Sequence, residues 1–462
     1  MNRSGPFVNA YACLLAKLYL WLVDMSVDVI VGLQRGDEGK GRFVDMLAGE
    51  HDIVARFNGG DNAGHTVVLP DGRDLALHLV PSGITHPATM NVIGNGTLVN
   101  ASKLVAEIAA IQTKDIEVNK RNLMLSSAAH LILPHHIYDD KIRETGSGRQ
   151  GSTKSGIAQV ASQKAMRAGA RVELINDNPE DLLTLVYESL VAQRRMRDEA
   201  EIEPINEMAV AKEYLENAQR LGSFVTDTVL YLNQQLRAEQ PARVLAEGAQ
   251  AFWLDIDHGM YPFTTSSSTT SGGACTGLGI APAFIDRITG IAKAVPLHVG
   301  GGPFVTEITD GEQLQRLHGD MTTIDAEKGT TTGRVRRLGH LDLPQIRRSQ
   351  LVNGVDGKQE MALTKLDWVH RYGDAAKICV AYMLEGKRIE IAPDAAYKLE
   401  LVTPVYESLP TWQEDIQGVR QFADLPKAAQ EYVSFIETMT EVPITLIGVG
   451  PRRDQVIIRG SL

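Results

Sequence analysis

Residues 32–41 read GLQRGDEGKG, with Gly36, Gly39 and Gly41 set around Lys40 and two carboxylates, Asp37 and Glu38, among them. Glycines let backbone N–H groups approach an anion, and a lysine supplies charge for phosphate oxygens. The spacing is not that of the GxxxxGK[ST] loop, because Gln34 stands where its first glycine belongs and Arg42 follows Gly41. Carboxylates in a phosphate cradle repel the ligand unless a metal ion or a proton takes part in the chemistry. Taken alone, the stretch is equally a tight strand-to-helix turn with solvated acids. A second stretch, FNGGDNAGHT at 57–66, exposes more backbone at Gly59, Gly60 and Gly64, beside Asn62 and His65. An isolated loop histidine is more often structural than catalytic. One that follows a strand parallel to the first faces the same crevice as the first turn.

The elements that must hold these groups are legible as periodicity. VDVIVGL (27–33) is an almost unbroken apolar run ending in glycine, the pattern of a buried parallel strand. Lys40 to Leu47 has helical spacing, and DIVARF (52–57) returns as a strand. Further strands are expected at 90–96, 122–127, 243–248, 361–367, 377–384, 444–450 and 455–460. Helices are expected at 101–113, 180–198, 205–220, 282–293 and 426–439. Alternation of this kind predicts an α/β fold: a large, mostly parallel central sheet flanked by helices, with a P-loop-like phosphate turn. No repeat, low-complexity tract or Pro/Gly/Ser-rich linker divides the chain, so a single elaborate domain is expected over 25–462.

The 462 residues are 44% hydrophobic and carry a net charge of −11, ordinary for a globular protein and the wrong sign for general nucleic-acid binding. The three cysteines, Cys13, Cys275 and Cys379, are widely spaced and fit neither a disulfide framework nor a CxxC metal pattern. That suits a reducing compartment. Residues 7–24 form an apolar run that is short for a membrane span and contains Lys17. Because Met25 directly precedes the first strand, residues 1–24 are read as an N-terminal extension outside the fold. A membrane anchor is the competing reading.

GLQRGDEGKGR together with RFNGGDNAGHT resembles the adenylosuccinate synthetase family. The resemblance continues through LAEGAQAFWLDIDHGMYPFTTSSSTTSGGACTGLGI (245–280), VGGGPFVTE (299–307), GTTTGRVRR (329–337), LTKLD (363–367) and GPRRDQVIIR (450–459). It implies a cytoplasmic, Mg²⁺-dependent homodimer that joins L-aspartate to IMP using GTP, through a 6-phosphoryl-IMP intermediate. It makes Asp37 the base that removes the N1 proton of IMP and, with the Gly64 carbonyl, a Mg²⁺ ligand. His65 becomes the group that stabilises the transferring phosphoryl. GTP contacts are implied at Gly36, Glu38, Gly39, Lys40, Gly41, Thr66, Lys365, Asp367, Gly448 and Gly450. IMP contacts are implied at Asp37, Asn62, Thr153, Gln250, Thr265, Val299 and Arg334, with Arg167 reaching across the dimer to the neighbouring site. Aspartate falls to Thr330, Thr331, Thr332, Arg334 and Arg336, where arginine forks suit paired carboxylates. An aspartate at 367 can accept two hydrogen bonds from guanine N1 and N2, which adenine cannot supply.

The chain departs from the family's pattern at four places. Arg35 stands where tryptophan is usual, and could bind phosphate, lower the pKa of Asp37 or lie in solvent. GSTKSGIAQ (151–159) replaces GTTGRGIGP, Gly448 removes a hydroxyl from the guanine-contact turn, and Ser268 replaces an asparagine. Two alternatives stand beside the ligase: a dGMP-using variant that makes a 2-aminoadenine nucleotide precursor, and a non-catalytic GTP-binding paralogue.

Overall fold

The near-continuous apolar strands assemble into one ten-stranded sheet. The computed structural model describes residues 27–69, 71–145, 152–298, 300–319, 336–355 and 357–460. The extension proposed for 1–24 lies outside them. At the centre is β1 (Val27–Gly32), followed by the helix α1 (Lys40–Ala48) and by β2 (Ile53–Arg56). Between β1 and β2 in space lies β3 (Val244–Glu247), and on the other side of β1 lies β4 (Ile285–Lys293). Outward from β4 come β5 (Gln359–Thr364) and the strands Ile444–Gly448 and Val456–Ile458. Outward from β2 come Met90–Ile93, Leu123–Ser126 and Val225–Thr226. Neighbours pair in parallel throughout, except the antiparallel edge strand Val456–Ile458.

A parallel strand covered on both faces needs apolar residues on both, and β1 has them. Val27, Val29 and Val31 pack with Leu232, Leu236 and Leu278 on one face. Ile30 packs with Phe43, Val44 and Leu47 of α1 on the other. A smaller sheet built around Ala375–Leu384 and Thr403–Pro410 sits beside the central one.

One expectation is corrected. Residues 282–293 are not a helix: after a single short turn they form β4, whose Ile288, Ile291 and Ala292 are buried. A short apolar run buried on both faces carries no periodicity that separates the two states, and the flanking β-branched residues were the better guide. The run at 377–384 is a strand as expected, and it lies in the smaller sheet.

Close backbone approach fixes the edge where the strands end. A Cβ at Gly277 would lie 2.0 Å from the Phe57 carbonyl oxygen, at the exit of β2. Gly277→Ala is therefore expected to destabilise the fold by about 2 kcal/mol or more, read as a lower midpoint in chemical denaturation. An unchanged midpoint would show that this approach is not tight.

Candidate active site

Because β1, β3 and β2 are adjacent and parallel, the loops that leave their C-terminal ends open on one crevice, where open α/β sheets bind ligands. The turn after β1 is pinned at several points. Leu33 N–H donates to the Ile291 carbonyl at 2.9 Å. The Gln34 amide donates to the Lys293 carbonyl at 3.1 Å and accepts from Lys293 N–H at 2.9 Å. Gly36, Asp37 and Gly39 take φ of 95°, 56° and 90°, so the chain reverses through three left-handed residues and enters α1. Asp37 is the non-glycine among them, an outlier of the kind that collects at functional sites.

Glu38 turns inward. Its carboxylate accepts from Gly36 N–H at 2.8 Å and from Lys40 Nζ at 2.7 Å, with both side chains buried. It therefore fixes the cation of the cradle from within. The Glu38 carbonyl accepts from Thr364 Oγ1 at 2.8 Å, which ties the LTKLD stretch at the end of β5 to the same turn. Asp37 points the other way, about one third exposed, and its carboxylate holds the buried Arg336 guanidinium. Two residues assigned to different substrates are thus in contact.

His65 opens the hairpin strand His65–Val68 and is buried against α1, where a Cβ on Gly41 would lie 2.7 Å from the His65 Cβ. Its Nδ1 is hydrogen-bonded to Glu247, the last residue of β3. Glu247 also accepts from Ser82 N–H and Ser82 Oγ, each at 2.8 Å, and lies 3.5 Å from Arg56 Nη1. Burial pushes the Glu247 carboxyl up. The His65 ring, the Arg56 charge and the Ser82 N–H more than offset this and hold it at about 2. Burial, followed by the Arg56 charge, moves His65 below the usual imidazole range despite the opposing pull of Glu247.

Other expected residues fall around the same edge. Asn62 Oδ1 accepts from Gly60 N–H and from Gln250 Nε2, both at 3.2 Å, so these two meet. Gln250 has φ of 58°. Thr265 N–H donates to the Leu254 carbonyl at 2.8 Å. Thr66 is half-buried in the hairpin after His65. Thr153 is exposed at the head of the helix Ile157–Met166, and Arg167 is exposed at that helix's end with φ of 62°.

Lys365 Nζ lies 3.5 Å from the centroid of the Trp368 ring, with the Arg371 guanidinium 3.6 Å from the same centroid. Asp367, Trp368, His370 and Arg371 line a cleft of about 200 Å³ with Gln413 and Glu414. Gly448 leaves room for Arg42 of α1, whose Nη1 would be 2.9 Å from a Cβ there and whose Nη2 donates to the Gln455 carbonyl at 2.5 Å. Gly450 packs on the Gln455 side chain. Val299, Thr330, Thr331, Thr332 and Arg334 lie outside the described residues.

Arg35 is not in solvent. It is 2% exposed and donates to Gln345 Oε1 at 3.2 and 3.1 Å and to the Pro303 carbonyl at 2.5 Å, over the Phe304 ring. It braces the turn against the 300–304 loop and the helix α2 (Leu343–Asn353). Burial brings its guanidinium down to about 10 and pushes the neighbouring Asp342 up to about 6.

Glu247, Ser82, Arg56 and Gln345 do not stand out in the sequence alone. A signal was present for Glu247: a lone acid at the end of an apolar strand, three residues before Gln250. Buried acids need partners, so such a residue points to a polar cluster.

The whole-chain comparison decides the family. A family profile described as Adenylosuccinate synthetase matches residues 29–457. The chain belongs to the adenylosuccinate synthetase family. It is 43% identical to the adenylosuccinate synthetase of Salinibacter ruber, over 94% of this chain and 98% of that protein. It is 44% identical to that of Chlorobium chlorochromatii, over 93% and 97%. The solved structure of the fully ligated adenylosuccinate synthetase from Plasmodium falciparum superposes with a TM-score of 0.84 at 35% identity, covering 94% of this chain and all of that one. A cyanophage S-2L succinoaminodeoxyadenylate synthetase shares the fold at 19% identity and a TM-score of 0.56. As a member of the family, the chain is the GTP-dependent ligase that joins L-aspartate to IMP, giving adenylosuccinate, GDP and phosphate.

Removing the buried brace should be costly, because it strands Gln345 and leaves Asp342 without its nearby cation. Arg35→Leu is expected to lose about 3 kcal/mol of folding stability, measured by chemical denaturation at neutral pH. A loss below about 1 kcal/mol would show that the buried contacts of Arg35 contribute little to folding stability.

Proposed function

We propose that Asp37 is the base of the first step and takes the N1 proton of IMP, which builds charge on O6 and makes it the nucleophile toward the γ-phosphoryl group of GTP. The observation that carries this reading is the division of the two acids. Glu38 is committed inside the turn, while Asp37 faces the crevice from a left-handed backbone position. Asp37 cannot serve IMP while it holds Arg336, so Arg336 moves to the paired carboxylates of L-aspartate when substrates enter. That exchange keeps each charge partnered as the site fills.

Lys40 and the N–H groups of Gly39 and Gly41 hold GTP phosphates, with Thr66 beside them and Gly36 shaping the turn, its own N–H being taken by Glu38. His65 meets the transferring phosphoryl group. Asn62, Thr153, Gln250, Thr265, Val299 and Arg334 hold IMP, and Thr330, Thr331, Thr332, Arg334 and Arg336 hold aspartate. Lys365, Asp367, Gly448 and Gly450 hold the guanine end, where Asp367 accepts from N1 and N2.

The donor set suits Mg²⁺, which takes few protein oxygens and completes its shell from phosphates and water. Asp37 offers a carboxylate about one third exposed and Gly64 a backbone carbonyl. When bound, the ion neutralises charge on the phosphates during transfer.

We further propose a homodimer in which Arg167 reaches the IMP phosphate of the neighbouring site. Its exposure on the left-handed cap of its helix, beside the 63% exposed Met166, supports that reading. A cytoplasmic site of action fits the unpaired cysteines, and no helix of the described residues is long and apolar enough to cross a membrane.

Asp37→Asn is expected to abolish turnover while GTP still binds, as read by nucleotide titration beside a GDP-release assay. A variant that keeps more than about a tenth of the wild-type rate would remove Asp37 as the base. Mixing Asp37→Asn with Arg167→Leu subunits is expected to restore part of the activity through hybrid dimers. No recovery in subunits shown to exchange would rule out the shared site.

A further inference from the structure

We propose that Glu247 is the positioning residue of His65. It holds the imidazole as the Nδ1–H tautomer in one ring plane, so that Nε2 is the nitrogen offered to the transferring phosphoryl group. This rests on the reading of His65 given above.

The argument is one of donors and acceptors. Glu247 is fully buried at the end of an otherwise apolar strand, a position that costs stability unless each oxygen is satisfied. Ser82 N–H donates to Oε2, while Ser82 Oγ donates to Oε1, which also faces Arg56 Nη1. A carboxylate met by an N–H, a hydroxyl and a guanidinium is acceptor only. The ring nitrogen in contact with Oε1 must therefore bring a proton, and that nitrogen is Nδ1. Nε2 is left by elimination.

The carboxylate itself cannot turn. Ser82 grips both oxygens, and Glu247 is locked in register between Ile30 of β1 and Arg56 of β2. The root of the His65 side chain is packed against Gly41 of α1, where an added Cβ would lie 2.7 Å from its Cβ and 3.1 Å from its Cγ. A histidine whose remote nitrogen is held by a carboxylate has its tautomer and orientation set by that partner. Glu247 touches no substrate on this reading and acts through His65.

The test is Glu247→Gln in the full chain. An amide replaces one acceptor oxygen by NH₂, which then faces either the Ser82 N–H or the His65 Nδ1–H, donor against donor. The turnover number is expected to fall on the order of 100-fold, while KM values for IMP and GTP stay within about threefold. A purely structural role would lower the denaturation midpoint and leave the turnover number of the folded enzyme intact. A folded Glu247→Gln enzyme within about threefold of wild-type turnover therefore overturns the proposal.

His65→Asn separates the two readings. If it is inactive while Glu247→Gln is active, this proposal fails and the site assignment of His65 stands; if it is active, both fail. Long-range ¹H–¹⁵N spectra of the ¹⁵N-histidine-labelled wild type, assigned by loss of one signal in His65→Asn, read the tautomer directly. A proton on Nδ1 supports the proposal and a ring protonated on Nε2 alone overturns it, even if Glu247→Gln does not fold.

Discussion

Ile30 pairs with Glu247 and Glu247 with Arg56, in strands that run the same way, so three stretches of chain far apart in sequence end side by side. The rest of the site depends on that register. Each strand ends in a loop that would be unremarkable alone: GDEGKG after β1, NGGDNAGH after β2, and GAQ after β3. A slip of one residue in β3 would swing Glu247 to the opposite face of the sheet. His65 would lose its partner, and Arg56 would be a buried cation without its carboxylate.

Two acids in one phosphate cradle set up an electrostatic conflict. The structure resolves it by giving the acids opposite directions. Glu38 is folded into the turn, where it satisfies Gly36 N–H and holds Lys40, so its charge is spent internally. Asp37 faces out and meets Arg336. Adjacent residues diverge because Gly36, Asp37 and Gly39 reverse the chain through positive φ, which separates side chains that a strand or helix would hold at fixed spacing. A nearly neutral turn with one outward carboxylate suits a reaction that must both accept a proton and hold polyphosphate.

Arg35 shows how a departure from a family pattern can be structural while lying next to the chemistry. Its guanidinium spans Gln345, Pro303 and Phe304, a set that no sequence neighbour predicts. Gln345 in turn donates to Tyr382 Oη at 3.2 Å, and Tyr382 donates to Asp342. Gly448 follows the same logic, since the missing side chain leaves the space that Arg42 occupies.

The sequence alone determined the layered α/β class, most strands and helices, and the motifs that mark the family. It could do so because buried parallel strands leave unbroken apolar runs and phosphate turns leave glycines at set spacing. It misjudged β4, where an apolar run buried on both faces has no period to read. What tertiary structure decided were partnerships: Glu247 with His65, Asp37 with Arg336, Glu38 with Lys40, and Arg35 with Gln345. Three of these join residues at least 182 positions apart, and only packing brings them together. The fourth joins near neighbours, yet only the turn's backbone angles decide that Glu38 rather than Asp37 faces inward. A residue's type says what it can bond to, but its burial and its neighbours in space decide what it does bond to.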